Sequence, residues 1–129
     1  MQFISLNKKS PLVDFKTATL HGQAPDKGLY FPETIPQLPK EFWQNIADYD
    51  DQEIAFRIMQ PYVGDSIPEE KLRTLLQKTL SFPFPLVQVT ENIFSQELFH
   101  GPTLAFKDVG AGFMSLCLGE FARDINKKT

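Results

Sequence analysis

The side chains able to do chemistry gather toward the carboxy-terminal end, where His100, Thr103, Lys107, Asp108 and Cys117 follow one another closely. A lysine amine attacks a carbonyl carbon to form a Schiff base once it has lost its proton. Free lysine titrates near ~10.4, so at neutral pH nearly all of it is charged. Burial or a positive neighbourhood lowers that value. A helix predicted from about Ala105 puts Lys107 in its first turn, beside the positive end of the helix dipole. Phe99, Leu104, Phe106 and Phe113 are expected to form a low-polarity wall, and Gly101-Pro102 a tight loop leading to it. By residue type alone, however, a lysine at a helix start is far more often a solvated charge, and Asp108 stands beside it to offset that charge.

The other candidates carry less. His100 reads equally as a group that orients a phosphate or carboxylate and as a loop histidine bonded to backbone. Thr103 reads as a helix cap before a substrate contact, and Asp108 as a complement to the helix dipole. His21 and Cys117 read as structural. Asp50-Asp51 and Glu69-Glu70 fall at helix starts, where carboxylates are favoured without any catalytic role. With one cysteine there is no internal disulfide and no cysteine-rich metal site, and no metal is expected.

The elements that must position these groups are short. Phe3 to Leu6 alternates as a strand does; Val13 to Leu20 reads as a weak helix with Phe15, Ala18 and Thr19 on one face and Gly22 as its stop. Leu29-Tyr30-Phe31 is a brief apolar segment, and Thr34 to Pro39 a connector that Ile35 and Leu38 are expected to anchor. Helices are predicted over Lys40 to Ala47 and over Asp51 to Val63, the latter with Ile54, Ala55, Ile58, Met59 and Tyr62 at helical spacing and Gly64 as its end. The next helix shows Ser66, Pro68 and Glu69 in a capping-box arrangement, then a buried stripe of Leu72, Leu75, Leu76 and Leu80. Phe82-Pro83-Phe84-Pro85 forces extended chain. Leu86 to Thr90 and Ile93 to Phe99 read as two strands.

The last helix, predicted to run to Ile125, has two apolar stripes: Val109, Phe113 and Leu116, and Met114, Cys117, Leu118, Phe121 and Ile125. A helix apolar on most sides is buried on most sides. One of its faces is therefore expected to meet polypeptide outside this chain. The chain has 129 residues, 42% hydrophobic and 22% charged, with a net charge of -3. That is one globular domain's worth, and its mild acidity argues against a nucleic-acid binder. No apolar run nears the ~20 residues that cross a bilayer, and the first residues show no signal-peptide pattern. A cytoplasmic location follows as the expectation.

Glu97-Leu-Phe-His-Gly-Pro-Thr-Leu-Ala-Phe-Lys107-Asp-Val-Gly-Ala-Gly-Phe113 closely resembles the cofactor-lysine motif of threonine synthases. The resemblance extends to the Ala-Pro-Asp-Lys-Gly-Leu-Tyr-Phe-Pro run within Phe15 to Pro32, to Gly64-Asp-Ser-Ile-Pro68 and to Phe82 through Val87, in the family's order. One departure is Gly112, where members commonly carry arginine.

The resemblance implies pyridoxal 5'-phosphate (PLP) held covalently by Lys107, with Phe106 as a further cofactor contact and His100 and Thr103 as substrate contacts. The implied reaction turns O-phospho-L-homoserine and water into L-threonine and phosphate. The implied fold is α/β, of the tryptophan-synthase-β type (fold type II); these residues would form an α+β amino-terminal domain over 1–85 and the start of the catalytic domain over 86–129. The similarity covers about the first third of such an enzyme. The remainder is expected to pack on the last helix, self-association is a possible substitute, and these residues alone are expected neither to hold PLP tightly nor to turn over substrate. A related dehydratase and a non-catalytic interaction domain are the competing readings.

Overall fold

A computed structural model describes residues 1–126, with side chains through Arg123. It is an α+β arrangement of five α-helices and two separate two-stranded sheets. Strand β1 (Phe3–Ser5) pairs antiparallel with β2 (Tyr30–Pro32), Ile4 opposite Phe31. Between them lies α1 (Phe15–His21). Asp14 caps α1 by accepting from the Thr17 N–H, and Gly22 ends it at φ 67°, a left-handed turn that a β-carbon disfavours.

The turn before β2 is tied down by Asp26. Its carboxylate accepts from the Ser5 hydroxyl at 2.6 Å and from the backbone N–H groups of Lys9 and Gly28, each at 2.9 Å. The Ser5 hydrogen bond, with those backbone donors, holds the Asp26 carboxyl down at about 2. Gly28 is buried there, and a β-carbon on it would lie 2.9 Å from the Asn7 nitrogen. In the connector Leu38 is half-buried, but Ile35 is exposed and anchors nothing.

The predicted helix over 40–47 is divided. α2 (Lys40–Gln44) stops at Asn45, whose side-chain amide turns back to the Glu41 carbonyl, and a 3-10 turn follows at Ile46–Asp48. α3 spans Asp51–Val63, with Asp50 accepting from the Glu53 N–H at 2.7 Å as its cap and Gly64 closing it at φ 56°. α4 (Glu69–Thr79) does not begin with the expected capping box. Ser66 lies in a 3-10 turn at Gly64–Ser66, and Pro68, at ψ 146°, stands in the cap position with no side-chain hydrogen bond. The proline sets the entry, leaving Ser66 two residues too early to reach the helix. Glu69 and Glu70 fill the first turn, as the dipole favours.

The predicted leucine stripe is the heart of the molecule. Leu72, Leu75 and Leu76 are buried with Val63, Ile67, Cys117 and Phe121, while Leu80 is half-buried at the edge. Phe15 of α1 meets the Phe121 ring edge-on at 6.2 Å. Cys117 and Phe121 belong to α5 (Asp108–Asn126), the helix that closes this core. Strands β3 (Leu86–Thr90) and β4 (Ile93–Gln96) form a second antiparallel hairpin in which every residue is exposed. No described helix is long and apolar enough to cross a membrane.

Candidate functional site

The candidate site is the loop from Glu97 to the head of α5. It leaves the hairpin with the Glu97 N–H bonded to the Pro85 carbonyl at 3.0 Å. His100 stacks on Phe99 with ring centres 4.8 Å apart, and its Nε2 meets a Glu97 carboxylate oxygen at 2.7 Å. The histidine is therefore keyed by a carboxylate rather than by a backbone group. The chain then turns at 101–104, with the Leu104 N–H on the Gly101 carbonyl at 3.1 Å. Leu104 sits at φ 58°, a region where a branched side chain is strained.

α5 starts three residues later than expected, at Asp108 instead of Ala105. Lys107 is thus just outside the helix and not in its first turn. It occupies the cap position, since its carbonyl accepts the first helical hydrogen bond from the Ala111 N–H at 2.8 Å. The late start has a visible cause: the Asp108 carboxylate accepts from the Thr103 N–H at 2.9 Å and from the Thr103 hydroxyl, which draws the preceding residues into a loop. Thr103 does not cap the helix; it is held by the helix's first residue. Its hydroxyl holds the Asp108 carboxyl below the usual carboxylate range.

The expected low-polarity wall is not assembled around Lys107. Phe99, Leu104 and Phe106 are exposed, Phe106 at 67%, and Phe113 is half-buried against the core instead. The Lys107 amine lies 5.9 Å from the centre of the Phe106 ring, and among the described residues no carboxylate pairs with it. His21 and Cys117 take no part: Cys117 is fully buried in the core, where burial pushes its thiol up to about 11. Asp50 and Asp51 sit at the start of α3, and no described group of three or more His, Cys, Asp or Glu could hold a metal.

The family model described as threonine synthase N terminus matches residues 2–80. The chain belongs to the threonine synthase family. A threonine synthase of Serratia marcescens is 34% identical over 122 residues, 95% of this chain and 28% of that protein. A crystal structure of PLP-bound threonine synthase from Brucella melitensis superimposes with a TM-score of 0.92 at 32% identity, covering 98% of this chain and 28% of that one. The yeast threonine synthase structure gives 0.89 at 35% identity, over 98% of this chain and 27% of that one. The chain thus spans under a third of the length of the threonine synthases it matches.

The loop carries the first part of the Glu97–Phe113 motif, with His100, Thr103, Phe106 and Lys107 in it and Asp108 opening α5 directly after. Three features there were not anticipated from the sequence: the Thr103–Asp108 tie, the left-handed Leu104, and the need for glycine at 101. Gly101 does stand in a turn, but its φ is not left-handed. The signal that could have found it is its position seven residues before an acidic helix start, close enough for a loop to fold back on itself.

Proposed function

We propose that these residues are the amino-terminal part of a threonine synthase, a PLP-dependent lyase that makes L-threonine and phosphate from O-phospho-L-homoserine and water. Lys107 is the residue that holds the cofactor. What carries this is the likeness of residues 97–113 to the family's cofactor-lysine motif; the Lys107 amine is compatible with it, exposed at the head of α5, free of any described carboxylate partner, with an aromatic ring 5.9 Å away. An aldehyde can reach such an amine, so the residues present fit the covalent end of PLP. Bound PLP supplies an electron sink for carbanion chemistry. Lys107 anchors it and, when released, moves protons at the substrate carbons. Phe106 offers a ring face beside the anchor.

His100 and Thr103 are the substrate-side residues of the loop. Glu97 fixes the His100 ring. The Thr103 hydroxyl donates to Asp108 and presents lone pairs elsewhere, so toward substrate it is an acceptor.

We place the boundary between the amino-terminal domain and the catalytic domain near residue 85, where the proline-rich stretch gives way to the exposed hairpin. Cradling the phosphate and the ring nitrogen of PLP falls to polypeptide outside these residues, as does covering the apolar surface of Leu86, Val89, Ile93 and Phe94. Exposed apolar patches of that kind mark contact surfaces. The 129 residues alone neither bind PLP tightly nor turn over substrate, and a cytoplasmic enzyme fits the whole.

The test is to reduce the whole enzyme, these residues together with the polypeptide that cradles PLP, with borohydride in the presence of PLP and to map adducts by peptide mass spectrometry. A dominant adduct at Lys107 is the expected result. Labelling scattered over the surface lysines would overturn the assignment and favour an inert interaction domain.

A further inference from the structure

We propose that Thr103 and Asp108 form a clasp that positions Lys107, holding it at the head of α5 and turning the neighbouring carboxylate away from its amine. The inference rests on the reading of Lys107 as the cofactor-holding residue. It gives Asp108, and Thr103 in addition to its place on the substrate side, a positioning role that acts through Lys107.

Asp108 receives two hydrogen bonds from one residue five positions back, the Thr103 N–H at 2.9 Å and the Thr103 hydroxyl. Gly101 is built to admit this: it is buried, and a β-carbon on it would lie 2.8 Å from the Asp108 β-carbon and 2.9 Å from the carboxyl carbon. Its φ is not left-handed, so glycine serves here for space and not for conformation. The enclosed turn carries Leu104 at φ 58°, a strained geometry that persists only where the surroundings hold it. A second turn bond, from the Asp108 N–H to the Ala105 carbonyl at 3.0 Å, completes the approach to the helix. Lys107 is the last residue of the loop so closed.

The electrostatic consequence concerns the residue next door. An acidic group within ~4–6 Å of an amine stabilises its charged form and so opposes loss of the proton. Asp108 is adjacent in sequence and is the obvious group to do this, yet its oxygens are engaged across the loop. The other charged groups of this region are also occupied: Glu97 pairs with His100. On the elements packed against α5, Lys71 of α4 meets Glu120, and Lys16 of α1 lies over Phe121. Those contacts fall thirteen or more residues beyond Lys107, roughly 20 Å along the helix at ~1.5 Å per residue.

The test reads the Lys107 amine directly, without cofactor, from the pH dependence of its side-chain carbon and nitrogen NMR shifts in the 129-residue chain. Thr103→Val frees the carboxylate and is expected to leave about three- to fivefold less neutral Lys107 amine at a given pH, the size an exposed ion pair supplies. Thr103→Ser restores the wild-type curve. The double variant Thr103→Val with Asp108→Asn also restores it, because the released group no longer carries charge; a purely structural role for Thr103 would leave both valine variants alike. Asp108→Asn alone keeps an acceptor for Thr103 and shifts the curve less than about twofold, which decides the matter should Thr103→Val lose its helix signal.

An unchanged Lys107 titration in folded Thr103→Val overturns the clasp, as does a large shift in Asp108→Asn. Borohydride trapping of PLP is the separate arm. Scattered labelling there, with the titrations as expected, removes the cofactor assignment and leaves the clasp standing.

Discussion

Two parts of this molecule treat similar residues in opposite ways. In the core, Val63, Ile67, Leu72, Leu75, Leu76, Cys117 and Phe121 are nearly inaccessible. In the hairpin and the loop behind it, Leu86, Val89, Ile93, Phe94, Leu104 and Phe106 all lie open to solvent. Neither region is more apolar by composition than the other; they differ in what surrounds them. α1, α3, α4 and α5 enclose the first, and nothing described encloses the second. The amino-terminal segment and α5 bury their own apolar side chains, while the hairpin and the loop behind it leave theirs open.

The largest test of that contrast is Phe121→Ala. A fully buried ring at the meeting of α1, α4 and α5 should cost roughly 3–5 kcal/mol in urea unfolding. A loss below about 1 kcal/mol would show that the core is not the unit described. Gly28→Ala comes next: its new methyl group crowds the Asn7 backbone and should cost about 1–3 kcal/mol, which thermal unfolding can check.

Acid probes the same corner. The folded Asp26 carboxyl titrates at about 2, below its usual 3.8, so the folded state takes up that proton less readily than the unfolded chain. Its contribution is complete above about pH 4 and disappears as pH falls toward about 2. Melting temperatures between pH 5 and pH 2 should fall in the wild type, with a shallower fall in Asp26→Asn. The smallest effect belongs to the hairpin. Val89→Asp should change stability by no more than ~0.5 kcal/mol while reducing any concentration-dependent association seen by sedimentation. A large destabilisation there would mean the hairpin is structural after all.

Much of the first region could be read from residue order. α3 runs over the predicted Asp51–Val63 because an acidic cap, a helical apolar spacing and a terminal glycine agree with one another. The stripe of Leu72, Leu75 and Leu76 points inward as its spacing requires. Errors arose where a neighbour outside the pattern prevailed: Pro68 displaced the Ser66 cap, and the Asp108 carboxylate delayed α5. The site was legible in a different sense. Lys107 stood out through likeness to a family motif, since an exposed lysine has no physical signature of its own. The clasp spans five residues around a left-handed leucine, and no periodicity encodes such a path. The strands of the hairpin were legible, although β4 stops at Gln96 and not at Phe99, but their exposure was not, because burial depends on partners and not on alternation.

Cys117, the sole cysteine, gives the chain an internal clock. Sealed behind α4 and α5, with its thiol pushed up to about 11, it can meet a small alkylating reagent only while those helices part. Dividing its modification rate by that of the same thiol in unfolded chain yields how often the two helices separate, at equilibrium and without denaturant.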